Sequence, residues 1–354
     1  MATTGEGISQ DELQLAARNS GMPLEALRWP ITPVGLHYLL IHYDIPAVDP
    51  GEWRLEVGGR VEQGLSLSLE DLQQRETVTM PVTMECAGNG RARMEPRAVS
   101  QPWLNEAVGT ADWTGTPLAA LLSEAGVPGG AVEVLFTGMD QGVEGGVAQS
   151  YERSLPLAEA FGSEAILAWG IGDGPLPPQH GFPLRLVVPG WYGMTNVKWL
   201  RAITVLDAPF EGYQQARGYR LRQSEDDAGE PVTRMLPRAL MMPPGVPDFM
   251  TRRRFVQLGP AQLQGRAWSG LGTITRVEVS ADGGQTWADA TLGEAPGPHA
   301  WREWSYDWEP ERPGEYMLAS RATDSAGGVQ PLDPAWNFGG YSNNAVQRVP
   351  VTVT

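Results

Sequence analysis

The sequence predicts an α+β first half followed by an immunoglobulin-like β-sandwich. Glycine (43) and proline (30) are abundant without a fixed period, and Trp (13) is frequent while long helical patterns are few. That composition favours turn-rich β structure over a helical bundle. Short helix signatures occur only before the charge run Glu225-Asp226-Asp227. After the linker-like Met242-Pro243-Pro244-Gly245, about seven short strands over some 110 residues suggest a two-sheet sandwich. A chain of 354 residues, 42% hydrophobic and 19% charged, can bury two cores and is not globally disordered.

Residues 1–30 read as a polar N-terminal extension with one short helix over Gln10–Asn19. Residues 31–235 form the α+β domain. His37–Ile45 is apolar and β-prone, stopped by Pro46, and Trp53, Leu55 and Val57 alternate with polar residues as in a half-buried strand. Ser68 with Asp71 three residues on starts a short helix through Arg75. Val78–Cys86 is strand-like and runs into Ala87-Gly88-Asn89-Gly90. Thr116-Pro117 opens a helix over Leu118–Ala125 that Gly126 stops. Val132–Gly138, Ala165–Trp169, Leu184–Val188 and Val197–Leu206 are apolar runs of strand length, and Ser154 is read as the cap of a helix through Phe161. In residues 245–354, Thr275–Ser280 and Gln285–Ala290 flank Asp282-Gly283-Gly284, a hairpin turn. Trp301–Trp308, Gly314–Asp324 and Val346–Thr354 complete the strands.

Net charge is −16, from 26 basic and 42 acidic residues. A chain this acidic is repelled by phosphate backbones and anionic bilayers, so no nucleic acid or membrane partner is expected. No run of about 18 apolar residues is present to span a bilayer. Met1–Ser20 carries no export signature, which places the expected compartment in the cytoplasm, or in the periplasm if a leader was trimmed. The single cysteine, Cys86, excludes an intramolecular disulfide.

Two segments could carry chemistry. Cys86 ends a strand and enters a glycine-bearing loop, which suits a thiolate that must reach a soft metal; free cysteines are otherwise most often buried hydrophobes. One thiolate cannot build a zinc finger or an iron–sulfur site, so a metal there must bring most of its own ligands. His180, Arg185 and Lys198 lie within 19 residues around an apolar strand and a Gly-containing loop. Arg185 and Lys198 suit an anion such as phosphate, one as a fork and the other as a point charge; two surface charges and a core histidine are the plain alternative.

Taken together, Cys86-Ala87-Gly88-Asn89, Pro102-Trp103, Gly109 through Gly115, Gly138-Met139-Asp140, His180 through Arg185, and Val188-Pro189-Gly190 through Leu200 resemble sulfite oxidases and the molybdenum domains of plant-type nitrate reductases. Ala267-Trp268-Ser269-Gly270, Val277 through Trp287 and Ala335-Trp336-Asn337 resemble that family's Ig-like dimerisation domain. The resemblance implies a molybdenum cofactor with a single molybdopterin, bound to an α+β domain with the sandwich pairing two copies as a homodimer. It implies that Cys86 ligates molybdenum, that Asp140, His180, Arg185, Asn196 and Lys198 hold the pterin and its phosphate, and that Tyr219 and Trp103 line the substrate pocket. His42, Tyr43 and Asp44 stand in a family segment that also borders the cofactor. The implied chemistry is oxygen-atom transfer to or from a small oxoanion or related substrate, with electrons leaving to an external acceptor such as a cytochrome c.

The departures concern the substrate. His42 replaces an arginine, Asp44 a histidine and Gly90 an arginine, with Arg91 one place on, and Asn337-Phe338-Gly339-Gly340 lacks a third arginine. Arg91, Arg217 or Arg220 are the candidates to replace them. Each lost charge-assisted bond would cost about 1.5–3 kcal/mol toward sulfite. The alternatives are therefore oxo transfer on a less anionic substrate, such as a sulfoxide or N-oxide, or a non-catalytic protein of the same fold that has lost the metal.

Overall fold

The computed structural model describes residues 7–354; the first six residues of the expected N-terminal extension lie outside the described residues. A two-stranded sheet, Arg220–Leu221 with Glu230–Pro231, and two large sheets build the first domain. One orders Leu65–Leu67, Leu55–Gly59, Leu200–Leu206, Glu133–Glu144 and Val147–Pro156; the other orders Val78–Glu85, Val108–Pro117, Ile166–Ile171 and Gly174–Pro175, with Arg185–Val187 also paired to Ile166–Ile171. Leu55 and Val57 point inward while Glu56 faces water, as the alternation requires. The helix Leu118–Ala125 buries Leu118, Leu121, Leu122 and Ala125, one stripe of an α-helix, and ends at Gly126 in the left-handed region (φ 70°). Ser68 and Asp71 form the expected reciprocal cap.

The second domain is a sandwich. A four-stranded sheet holds Arg238–Met241, Ala261–Trp268, Arg302–Trp308 and Thr291–Leu292, and a six-stranded sheet holds Val246–Pro247, Arg254–Val256, Gln347–Val353, Gly314–Asp324, Ile274–Ser280 and Ala288–Asp289. Leu263, Val277, Trp304, Leu318 and Val351 fill the space between them, each fully buried aliphatic contributing about 1.5–3 kcal/mol. The hairpin turns where expected, with Asp282 accepting from Gln285 N, Thr286 N and Ser280 Oγ. The sandwich already includes Arg238–Met241, which lies between the expected domain bounds at 235 and 245.

Two local expectations give way. Ser154 caps no helix: it lies in the ladder of Val147–Pro156, opposite Leu135, and the helix begins at Leu157 after Pro156. His37–Ile45 joins no sheet beyond one bridge, Ser20 to Leu39. Its backbone groups are taken by side chains instead: Ile41 N donates to Asn19 Oδ1 (2.7 Å), and Leu40 O accepts from Lys198 Nζ (2.7 Å). The described part of the N-terminal extension is clamped onto the body. Glu12 is buried against Arg97, Met22 N donates to Glu106 O, and Arg266 of the sandwich donates to Leu27 O. Among the described residues no helix is long and apolar enough to cross a membrane.

Candidate active site

The strand Val78–Glu85 delivers Cys86 to the top of the first domain, where Cys86 N donates to Ala107 O (2.9 Å). The turn after it is pinned by Asn89, whose Nδ2 donates to Glu85 Oε1 (2.9 Å) and whose Oδ1 accepts from Ala107 N (3.1 Å). Glu85 is itself buried and shared with the sandwich: it pairs with Arg238 and accepts from Trp268 Nε1 (2.9 Å). Gly90 has φ 89°, and a Cβ there would stand 2.9 Å from Asn343 Nδ2, so a side chain at that position would be strained. The next residue supplies the cation. Arg91 is buried over Gly88, its Nε donating to Gly339 O (2.9 Å) and Nη1 to Gln101 O (3.1 Å), stacked 5.0 Å from the Tyr341 ring. Arg217 is exposed, and Arg220 is bound to Ala228 O and Gly229 O. Of the three candidate replacements, Arg91 alone reaches the cavity. Burial pushes the Cys86 thiol up, against the pull of Arg91, the Gly88 N–H and Trp103.

Cys86 forms a common wall of two adjoining cavities. The first, about 60 Å³, is lined by His37, Tyr38, Asp140, Tyr151, His180, Arg185, Asn196 and Lys198. Arg185 is buried on its strand, donating to His180 O (3.0 Å) and Asn196 O (3.3 Å) and lying 4.7 Å over Trp113, while its Nε has no acceptor. Lys198 donates to Leu40 O and Gln179 O (3.1 Å), and the left-handed backbone of Trp199 (φ 48°) follows it. Burial, with Arg185 nearby, brings the Lys198 ammonium down to about 7, and burial raises Asp140 to about 6 against the pull of Lys198. Burial also drops His180 to about 2, with the nearby cations adding to it, so its imidazole is neutral. Asn196 turns its side chain onto Val188 N (2.7 Å) and Tyr192 O (3.2 Å), which shapes the Val188 turn.

The second cavity, about 260 Å³, is lined by Arg91, Trp103, Tyr219, Tyr341, His42, Tyr43 and Glu144 around Cys86. Composition and motifs did not point to Glu144. It accepts from His42 Nε2 (3.0 Å), Tyr43 OH (3.1 Å) and Gln214 Nε2 (2.5 Å). Its only sequence signal is the Gly145-Gly146 turn that follows it, which makes it the tip of a hairpin between Glu133–Glu144 and Val147–Pro156. Gln214, Tyr151 and Tyr341 were likewise missed. Asp44 does not join either cavity: it is exposed, its carboxylate bonded to Ile45 N. The chain turns outward there, before Pro46.

The family described as "Oxidoreductase molybdopterin binding domain" matches residues 42–214, and "Mo-co oxidoreductase dimerisation domain" matches 249–354. The chain is similar to mitochondrial sulfite oxidase of Mus musculus (35% identical, 91% of this chain and 62% of that protein) and of Homo sapiens (36%, 92% and 62%). It also resembles the nitrate reductase [NAD(P)H] of Hordeum vulgare (34%, 91% and 39%). Among solved structures, the sulfane dehydrogenase SoxCD of Paracoccus pantotrophus superposes with a TM-score of 0.80 at 30% identity, over 93% of this chain and 82% of that one. The chain belongs to the sulfite oxidase family. It spans about 62% of the length of the sulfite oxidases it matches.

Membership in the sulfite oxidase family brings the molybdenum cofactor with it, and the residues of the first cavity fit that group by chemistry. Arg185 and Lys198 are cations for a phosphate, while Asp140 Oδ1 and Arg185 Nε are buried without partners. Buried polar atoms without partners are costly, and a polar, anionic cofactor would satisfy them. Among the described residues no three His, Cys, Asp or Glu side chains converge as a metal site.

Proposed function

We propose that the protein carries out two-electron oxygen-atom transfer on a small substrate, with Cys86 as the protein ligand of molybdenum. One observation carries the reading: Cys86 is shared between a cavity walled by Arg185 and Lys198 and one walled by Arg91, Trp103 and Tyr219. The bound cofactor supplies a centre that exchanges two electrons with the reacting atom. In the oxidative direction substrate and water give oxygenated substrate, two protons and two electrons. The electrons leave singly to an external acceptor such as a cytochrome c.

In this reading Arg185 and Lys198 hold the cofactor's phosphate, with Asp140 and His180 against the pterin. Arg91 turns its Nη2, which has no protein acceptor among the described residues, toward the oxygen of the substrate. Trp103 and Tyr219 exclude water. The sandwich pairs two copies of the chain, as the matched dimerisation family suggests. Sulfite is the default substrate by similarity to the sulfite oxidases. The second reading, a less anionic sulfoxide or N-oxide, is favoured by His42 in place of an arginine and by the Glu144 carboxylate in the wall.

The test is the anaerobic visible spectrum of the molybdenum-loaded protein before and after sulfite. A thiolate-to-metal band that bleaches supports sulfite oxidation; a band that persists in excess sulfite moves the substrate to the less anionic class. Replacing Cys86 with Ser should remove the band and lower kcat by at least a hundredfold, because an alkoxide is a harder donor. Near-normal turnover in that variant would refute the ligand assignment.

A further inference from the structure

The substrate cavity contains an anion. Glu144 projects from the hairpin tip with about a third of its side chain exposed, and His42, Tyr43 and Gln214 all converge on one of its oxygens, Oε2. Burial works against its ionisation, but the hydrogen bonds from His42, Gln214 and Tyr43 outweigh that and hold the carboxyl below its usual range. The other oxygen, Oε1, makes no hydrogen bond among the described residues. The facing groups are Arg91, with its unmatched Nη2, and the rings of Tyr219, Tyr341 and Trp103. The wall is therefore dipolar: one guanidinium and one carboxylate, bordering about 260 Å³.

We infer that Glu144, fixed by His42, Tyr43 and Gln214, is a specificity-determining residue that rejects dianionic oxoanions and selects a neutral or zwitterionic substrate presenting an N–H or O–H to its free oxygen while its own oxygen faces Arg91. The inference rests on the proposed function, since it takes this cavity as the substrate side of Cys86. The physical reason is that a carboxylate in a partly desolvated wall repels a second anion strongly, and that a donor-bearing ligand leaves no buried acceptor unpaired. His42 belongs to the same device: it stands where the resemblance expects an arginine, and its imidazole is turned onto Glu144.

The experiment is calorimetric titration of the loaded protein with three unreactive probes: sulfate (dianion), dimethyl sulfone (neutral, no donor) and methanesulfonamide (neutral, with N–H). Methanesulfonamide should bind at least tenfold more tightly than either of the others. Glu144→Gln should raise sulfate affinity at least tenfold, and Glu144→Ala should erase the preference for methanesulfonamide over the sulfone. Sulfate binding as tightly as methanesulfonamide in the unmodified protein, or unchanged in Glu144→Gln, overturns the inference. The order in the unmodified protein needs no variant to fold. Molybdenum content of the same samples separates the two levels: a loaded protein with the wrong order overturns only this inference, and an unloaded one overturns the reading beneath it, the order of the probes still being read on its wall.

Discussion

Lys198 is a largely buried cation in the wall of the first cavity. Its ammonium is brought down to about 7 by burial and by Arg185, and it is satisfied by backbone carbonyls of two separate segments. A charge-assisted bond to phosphate is worth about 1.5–3 kcal/mol. Replacing Lys198 with Met should therefore cut cofactor retention at least tenfold, measured as molybdenum per chain after gel filtration. Thermal unfolding of the metal-free protein should shift by no more than about 1 kcal/mol, because relief of desolvation offsets the lost hydrogen bonds. Full molybdenum retention in the variant would sink the assignment. Cys86, Arg185 and Lys198 stood out as single residues by their own chemistry, while Trp103 was singled out only by the family resemblance. Glu144 was not, because one carboxylate among 42 acidic residues carries no mark until its partners are known.

Elements matter here through what they hold in place. The strand Val78–Glu85 ends on a carboxylate that pairs across the domain boundary with Arg238, both side chains 2% exposed. Removing one partner leaves a buried charge uncompensated, at about 3–5 kcal/mol. Glu85→Gln should lose about that much in denaturant unfolding and should also loosen Cys86, one residue on. An equally stable variant would show that the pair is dispensable. The same element logic explains where sequence reading failed. Ser154 reads as a cap because it precedes Leu157–Gly162, but the long hairpin with Glu133–Glu144 takes it into a ladder first. His37–Ile45 has strand composition, yet side chains from Asn19 and Lys198 occupy its backbone and no neighbouring strand does. Gly90 stands where the resemblance expects an arginine; its left-handed backbone lies beside Asn343, and the arginine that lines the cavity is Arg91.

At the scale of the molecule, acid stability follows from the buried histidines. Burial lowers His37 to about 4 and His180 to about 2, from 6.5 when exposed. Because these folded values are depressed, the unfolded chain takes up protons first as pH falls through 6.5. Stability is thus lost on acidification, by up to about 1.4 kcal/mol per pH unit for each histidine. Asp140, raised to about 6, works in the opposite sense between its unfolded value of 3.8 and 6, where the folded form binds the extra proton. The metal-free protein should lose thermal stability between pH 6.5 and 4.5, and His180→Gln should flatten that slope; an identical slope in the variant would refute the role of His180.

By itself the sequence determined the two-domain α+β and sandwich architecture, most strand and helix positions, and Cys86 with Arg185 and Lys198 as the residues to watch, because periodicity, turn chemistry and unusual side chains are local signals. Only the tertiary structure decided that Arg91 and not Arg217 or Arg220 faces the cavity, that Asp44 turns away, and that Glu144 stands in the wall with His42 and Gln214 bound to it. Those facts depend on hairpin length, on one left-handed glycine and on contacts across 70 to 172 residues of chain. Such long-range pairings are set by how the sheets pack and leave no periodic trace in the sequence.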